Sequence, residues 1–144
     1  MPNIDPVFTK TGNMSQNNST TMNQGITAAA NDFTGAGANN SLCFTADPTN
    51  GSFLQKLRLK GLGTNVASVL RVFLNNGSAN TSATNNTFLG EISLPATTSN
   101  AAAATGADID YMINMLIPPG FRIYVGLGTA VAAGWSVVPV AGNY

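Results

Sequence analysis

The sequence contains no histidine and a single cysteine, Cys43. Without histidine the commonest general base and metal ligand is missing, and neither a Ser-His-Asp triad nor a Cys-His pair can form. One cysteine also excludes an intrachain disulfide and argues against a zinc site. We expect Cys43 to be a small buried apolar residue. The alternative, a reactive thiol, needs a polarising neighbour that the nearby sequence does not supply.

Charge is also scarce. Charged residues make up 8% of the chain, and six basic residues balance six acidic ones, whereas ordinary globular proteins carry about 25%. On such a surface, repulsion between like charges gives little protection against association. This suits a protein that is docked on a partner. A neutral chain is also poorly suited to nucleic acid, whose binding draws on phosphate neutralisation. We therefore expect a docked protein with no nucleic-acid partner.

Long apolar runs are absent as well. No stretch approaches the roughly 18 apolar residues that a membrane helix needs, so no membrane association is expected. The first residues, MPNIDPVFTKTGN, contain no apolar segment of the kind that a secretion signal requires. We expect synthesis in a cytoplasm.

Six carboxylates remain as candidates for chemistry, and Asp108 and Asp110 share one face of a predicted strand. We interpret them as solvated charges that face a cation. Two alternatives are half of a calcium site, which needs several more oxygens, and an acid pair for glycoside hydrolysis, which needs carboxyls across a cleft. The GLG segments at 61–63 and 126–128 lack the further glycine and helix of a phosphate loop, and we predict turns. We expect no catalytic residues and no cofactor.

Residues 1–25 differ from the rest of the chain. They are rich in Asn, Ser, Thr and Gln and contain few large apolar side chains, so they bury too little surface to offset their ordering entropy. We predict an extended N-terminal arm over 1–25 and a single domain over 26–144. The arm is expected to be ordered by another subunit or a partner, the alternative being that it folds back on its own domain.

From residue 26 onwards the pattern predicts β-structure, with about eight short strands and no amphipathic helix. The candidate strands cover residues 26–33, 41–47, 53–61, 66–77, 87–95, 108–117, 121–128 and 134–140. Turns are predicted at Asp47–Gly51 and Pro118–Gly120, and Pro139 favours an edge or terminal position. The fold class predicted is all-β: a two-sheet antiparallel sandwich, jelly-roll-like.

The stretch FLQKLRLKG gathers three of the six basic residues on one strand. Its period of two predicts two faces, one with Phe53, Gln55, Leu57 and Leu59 and the other with Leu54, Lys56, Arg58 and Lys60. We interpret the cations as a row, joined by Arg71 on a neighbouring strand, that pairs with carboxylates of a partner. The alternative is that they keep a sheet edge soluble and unpaired. In 87–95, the alternation predicts Phe88, Ile92 and Leu94 on one face.

Aromatic side chains supply the other interface candidates. Tyr111 and Trp135 are predicted to lie in the core. Tyr124 is predicted to point outward beside Arg122, and an exposed Tyr-Arg pair is typical of protein interfaces. Tyr144 is a further candidate anchor.

The stretches VASVLRVFLNNG, TFLGEISLPATT and IPPGFRIYVGLGTAVAAGWSVVPVAGNY, in that order, resemble small virion proteins of tailed bacteriophages; the similarity covers residues 52–144. The resemblance implies a capsid cement or decoration protein on the outer surface of the phage head. Its partners would be the major capsid protein and further copies of itself, as a dimer or trimer. A tail or fibre component fits the same resemblance.

Two other classes remain open. A receptor-binding or carbohydrate-binding module would show an exposed aromatic patch. An enzyme such as a depolymerase would need paired carboxylates across a groove, and we do not expect one in a chain with no histidine and few acids.

Overall fold

The computed structural model describes residues 10–11, 13–14, 25–98 and 108–144. The described residues form seven strands of five or more residues, four two-residue strands and one 3-10 turn, Ala83–Asn85. The strands are β1 (Lys10–Thr11), β2 (Asn13–Met14), β3 (Ser41–Thr45), β4 (Ser52–Gly61), β5 (Thr64–Asn65), β6 (Ser68–Asn75), β7 (Asn86–Leu94), β8 (Thr97–Thr98), β9 (Asp108–Ile117), β10 (Arg122–Leu127) and β11 (Trp135–Asn143).

The strands build two packed antiparallel sheets. Sheet A has the order β1-β11-β4-β9 and sheet B the order β2-β3-β10-β6-β7, while β5 and β8 form a small separate ribbon. Among the long strands only β6 and β7 are consecutive neighbours in one sheet; every other connection crosses between the sheets. This is the strand order of a jelly roll, so the prediction of a jelly-roll-like antiparallel sandwich is confirmed.

The core lies between the inward faces of the two sheets. Its fully buried side chains include Leu54, Leu57, Leu59, Trp135 and Val137 from sheet A and Phe44, Leu70, Val72, Ile123, Val125 and Leu127 from sheet B. Trp135 is fully buried and Tyr111 packs half-buried against the same cluster, as predicted. Burial raises the pKa of the Cys43 thiol to about 12, so Cys43 is an inert core residue.

The predicted faces of β4 are wrong at one end because the strand contains a β-bulge. Leu54 is fully buried, whereas Phe53 is only half-buried on the outer face. Two consecutive residues of β11 pair with Lys56 and Leu54, which leaves Gln55 as an extra residue. The extra residue shifts the alternation of side chains by one position. Leu57 and Leu59 therefore face the core, whereas Phe53, which was predicted to share their face, lies on the other side.

A second bulge reverses the prediction for Phe88. In the pairing of β6 with β7, Val72 lies opposite Gly90 and Phe73 opposite Phe88, so Leu89 is the extra residue. Leu89 consequently packs against the core, and Phe88 lies on the outer face of sheet B with its ring centroid 5.6 Å from that of Phe73.

The strand predicted over 26–33 is also wrong. Ile26 makes an isolated bridge to Trp135 in sheet A and Ala29 makes one to Leu127 in sheet B. Because these partners lie in different sheets, the segment crosses the end of the sandwich and cannot extend one sheet edge.

Five residues of the predicted arm over 1–25 are described, and four of them pair with their own domain. Residues 10–11 lie opposite Asn143 and Gly142 of β11, and residues 13–14 lie opposite Thr45 and Phe44 of β3. The other residues of 1–24, and the alanine-rich stretch within 99–107, lie outside the described residues. Among the described residues β11 has a second partner only at its two ends, at Trp135 and at its last two positions, so the missing N–H of Pro139 disrupts no second ladder.

Both predicted turns are present and they touch. The Asp47 carboxylate accepts hydrogen bonds from the backbone N–H groups of Thr49 (2.9 Å) and Asn50 (2.8 Å), and Gly51 takes a positive φ of 76°. Gly120, with φ 73°, donates its N–H to the Asp47 carbonyl at 3.2 Å. The two turns therefore close the same end of the sandwich.

Candidate functional site

The outer face of sheet A carries the predicted cationic row. Register across β11, β4 and β9 arranges the outward side chains in four successive rows. The rows are Ser136–Lys60–Asp108, Val138–Arg58–Asp110, Val140–Lys56–Met112 and Gly142–Phe53–Leu116. We call Lys56, Arg58, Lys60, Asp108 and Asp110 the charged ladder, and Phe53, Met112, Leu116 and Val140 the apolar end.

The cations of the ladder face carboxylates of the same chain. Lys56 Nζ lies 2.7 Å from Asp110 Oδ2, and Lys60 Nζ lies 3.1 Å from Asp108 Oδ1. Arg58 Nε lies 3.9 Å from Asp110 Oδ1. The interpretation of the two aspartates as charges facing a cation is confirmed. The row does not protect a sheet edge, because β4 is an inner strand.

The electrostatics of the ladder keep Asp110 ionised. The hydrogen bond from Lys56 lowers the pKa of Asp110 below its ordinary value; desolvation opposes this, and the charges of Lys56 and Arg58 add to the lowering. The ladder therefore carries three positive and two negative charges at neutral pH.

These ion pairs face solvent and contribute little to folding. The side chain of Arg58 is 58% exposed and that of Asp108 is 57% exposed. Pairs of this kind add little to the stability of a fold, because water screens them and two long side chains must be ordered. The main consequence of the ladder is a fixed pattern of charge on a solvent-facing sheet.

The apolar end lies directly beside the ladder. Leu116 is 64% exposed, Met112 52% and Val140 36%. Lys56 sits between Val140 and Met112 but directs its amine towards Asp110 in the next row, so its methylene stem widens the apolar surface. The described part of the chain thus leaves a largely apolar surface open to solvent, with the exposed amides of Gln55 and Asn114 between its two rows.

Tyr144, a predicted anchor, lies in a depression at the border of the apolar end. The depression has a volume of ≈ 220 Å³ and is lined by Asn50, Ser52, Leu116, Ile117, Pro118, Pro119 and Tyr144. The Asn50 side-chain amide donates to the Tyr144 carbonyl at 3.3 Å. Tyr144 is half-buried and held against the domain, next to the exposed Leu116.

Arg71 does not join the ladder. It lies on β6 in sheet B, because the chain crosses to the other sheet after β4. Its Nε is 3.2 Å from a Glu91 carboxylate oxygen, and its guanidinium carbon is 4.0 Å from the centroid of the Phe33 ring.

The predicted exposed pair of Arg122 and Tyr124 is also absent. Tyr124 is only 8% exposed and Arg122 is half-buried. Both lie on β10, an inner strand of sheet B, where Tyr124 sits between Leu42 and Phe73 of the flanking strands. Periodicity identified the outer face correctly, but the tertiary structure buries the tyrosine on it.

Asp32 organises a loop that the sequence analysis did not identify as important. One carboxylate oxygen accepts from the N–H groups of Thr34 (2.8 Å) and Gly35 (2.6 Å), and the other accepts from the Asn40 side-chain amide at 2.7 Å. Burial raises the pKa of Asp32, but the hydrogen bonds from Asn40, Thr34 and Gly35 outweigh it and leave the pKa below its ordinary value. The segment Asp32-Phe33-Thr34-Gly35, with its Asp, Thr and Gly, was the sequence signal that could have predicted this turn.

The Asp32 loop presents an aromatic pair that was also missed. Phe33 is 61% exposed and meets the ring of Phe88 edge-on, with centroids 5.7 Å apart. Arg71 lies against the Phe33 ring. Gly126 lets the loop approach sheet B closely, since a Cβ at this position would collide with the Asn40 side-chain oxygen.

Comparisons with protein-family models, curated proteins and solved structures give no match to this chain. Within residues 25–98 and 108–144, no group of three or more His, Cys, Asp and Glu side chains is arranged to hold a metal ion. None of the described segments forms a helix of the length and apolarity that spanning a membrane would require. The function is therefore inferred from the charged ladder, the apolar end and the aromatic pair.

Proposed function

We propose that this chain is a structural virion protein that binds the outer surface of a bacteriophage head and stabilises it by bridging capsid subunits. The observation that carries the proposal is the charged ladder, which gathers five charged side chains on one solvent-facing sheet in a chain with only six basic and six acidic residues. The choice of a phage head rests on the resemblance of residues 52–144 to small virion proteins.

The ladder is suited to orienting a docked protein. Its pairs add little to folding, so stability alone does not account for concentrating scarce charge there. It has one more cation than anion, and Arg58 is its most exposed cation. An acidic patch on the major capsid protein would pair with this excess, and complementary charge contributes orientation and selectivity more than affinity.

The stabilisation is mechanical. A copy that contacts two capsid subunits adds its binding free energy to the work of separating them. A contact of a few kcal/mol is modest, but many copies act in parallel on one shell, and a second contact of a tethered protein gains from effective concentration.

Co-sedimentation with expanded phage heads that lack the protein tests the proposal. Saturable binding at a fixed number of copies per head, weaker at high salt, is the expected result, since salt screens exposed charges. Absence of binding at low and high salt would overturn the proposal, and tails and fibres would be tested next.

Two variants test the role of the ladder. Arg58→Gln should weaken head binding by about tenfold and flatten its salt dependence, because one exposed charge contact is lost. Arg122→Gln removes one cation from sheet B and should bind as the wild type does. The double variant Lys60→Asp with Asp108→Lys keeps an ion pair between the two positions but exchanges the positions of the positive and the negative charge. It should therefore preserve the melting temperature and weaken head binding. Unchanged head binding in both ladder variants would exclude the ladder as the docking site.

A second candidate is carbohydrate binding, and the aromatic pair of Phe33 and Phe88 is the observation that favours it. A ring that is 61% exposed can stack on a sugar face. Polar groups lie nearby: the Asn80 side chain donates to the Gly35 carbonyl of the Asp32 loop at 3.3 Å, and Glu91 of β7 pairs with Arg71. A glycan array with wild type and Phe33→Ala would decide: specific binding that Phe33→Ala abolishes, without head binding, would replace the capsid proposal.

A further inference from the structure

We propose that two copies of this chain pair through the apolar end of sheet A, face to face, about a two-fold axis that lies parallel to the sheet and runs across its strands. The third and fourth rows of one copy would cover the fourth and third rows of the other. The inference concerns the third and fourth rows, which share only Lys56 with the charged ladder, and it does not depend on the capsid proposal.

The four side chains of the apolar end lie in two adjacent rows, and the exposed amides of Gln55 and Asn114 lie at the bulges between these rows. Met112 and Val140 flank Lys56 in the third row, and Leu116 flanks Phe53 in the fourth. Adjacent strands lie about 4.8 Å apart, so these side chains touch the same surface. Single exposed apolar residues are ordinary, whereas a contiguous patch rimmed by charge is typical of an interaction site.

The distribution of charge selects this axis. An axis along the strands would stack each row on itself and place Arg58 against the Arg58 of the second copy. An axis across the strands at the charged end would bring the two ladders together. An axis across the strands at the apolar end buries apolar rows in the centre and leaves the ladders at opposite rims, the usual anatomy of an interface.

A second copy is also the occupant that fits the charge of the whole chain. The chain has no net charge, so two copies do not repel each other over long range. The apolar end contains no formal charge that a partner must match, apart from the Lys56 amine, which is paired with Asp110. The patch is therefore self-complementary, as a two-fold interface requires.

Such a dimer would cover Lys56 but leave the other four residues of each charged ladder accessible at its rims, namely Arg58, Lys60, Asp108 and Asp110. Each ladder could contact one capsid subunit, and the dimer would then bridge two of them. Bridging and dimerisation are separable: a dimer that ignores phage heads would retain this inference and remove the capsid proposal.

Sedimentation equilibrium of the full chain measures the pairing. The wild type should be a dimer. Leu116→Asp should raise the dissociation constant about 100-fold, because a charge would be buried at the centre of the interface. Val66→Asp is the matched control, since Val66 is 57% exposed in the connection before β6, and it should remain a dimer. Circular dichroism checks that both variants are folded.

A cross-linking variant tests the axis without weakening the fold. Gln55, exposed at the bulge of β4, lies between the third and fourth rows and therefore beside the axis. Packed sheets lie about 10 Å apart, so Gln55→Cys should be joined to its own copy by a short bis-maleimide. Cys43 is buried and should not react. Asn76→Cys, exposed in the loop that follows β6, should not cross-link.

Three results would overturn the inference: a monomeric wild type at its highest soluble concentration, a Leu116→Asp protein that remains as dimeric as Val66→Asp, or a Gln55→Cys protein that cross-links no better than Asn76→Cys. A dimeric Leu116→Asp protein that no longer binds heads would assign the apolar end to the shell.

Discussion

Asp32 is the residue on which the loop before β3 depends. Its two carboxylate oxygens accept five hydrogen bonds from four residues between Thr34 and Asn40. Asparagine cannot replace Asp32, because its side-chain NH₂ group would donate a hydrogen bond where the loop requires an acceptor.

We therefore expect Asp32→Asn to lower the free energy of unfolding by about 1–2 kcal/mol at neutral pH. The pKa of Asp32 is lower in the folded protein than its ordinary value of 3.8, so its stabilisation is present above that value and is lost as the pH falls through the folded pKa. Urea titrations at several pH values measure this. The difference in free energy of unfolding between the wild type and Asp32→Asn should be constant from neutral pH down to about pH 5 and shrink below about pH 4.

Asp108→Asn is the control, because it removes an exposed carboxylate that contacts only the ladder in the described structure. It should cost less than Asp32→Asn at neutral pH. Equal costs for the two substitutions, or a difference that does not change with pH, would contradict the role given to Asp32.

Edge strand β9 contains a residue in the left-handed region. Asn114 has φ 49°, at the point where two residues of β9, Ile113 and Asn114, lie between the pairs that Met115 and Met112 make with β4. Asparagine tolerates this conformation and a β-branched residue does not. The bulge therefore has a local sequence requirement.

We expect Asn114→Val to lower the free energy of unfolding by about 1–2 kcal/mol, and Asn114→Gly to be neutral or slightly stabilising. Ser93→Val, on the exposed face of edge strand β7, is the matched control and should be nearly neutral, since valine suits a regular strand. Thermal unfolding compares the three; a valine tolerated equally at both positions would show that the bulge does not constrain the strand.

The four residues of the N-terminal arm that form β1 and β2 add only short pairings to the two sheets of the whole molecule. Deleting residues 1–24 should leave a cooperatively folding sandwich whose melting temperature falls by about 2–8 °C, because β1 and β2 are lost and the core is not. Differential scanning calorimetry measures the change, and a chain that no longer unfolds cooperatively would contradict it. If the arm also contacts a capsid neighbour, the same deletion should weaken head binding more than its stability loss explains.

Much of the architecture could be predicted from local pattern. The period of two identified β9 and β10 with the correct inward residues, and Asp47 and Gly51 marked a turn. The faces of β4 and β7 could not be predicted fully, because a bulge depends on the strand opposite. The local sequence around Gln55 and Leu89 carries no such information.

For the candidate site, the sequence by itself determined that Lys56, Arg58 and Lys60 share a face, because strand geometry is local. Which carboxylates these cations contact depends on the fold of the whole chain. Lys56 and Asp110 are 54 positions apart, and their contact exists because β9 returns beside β4. The same applies to Tyr124, whose outward direction follows from periodicity and whose low exposure of 8% follows from the packing of the folded chain around it. Side-chain direction is fixed by neighbouring residues, whereas pairing and exposure are fixed by elements that are remote in the chain.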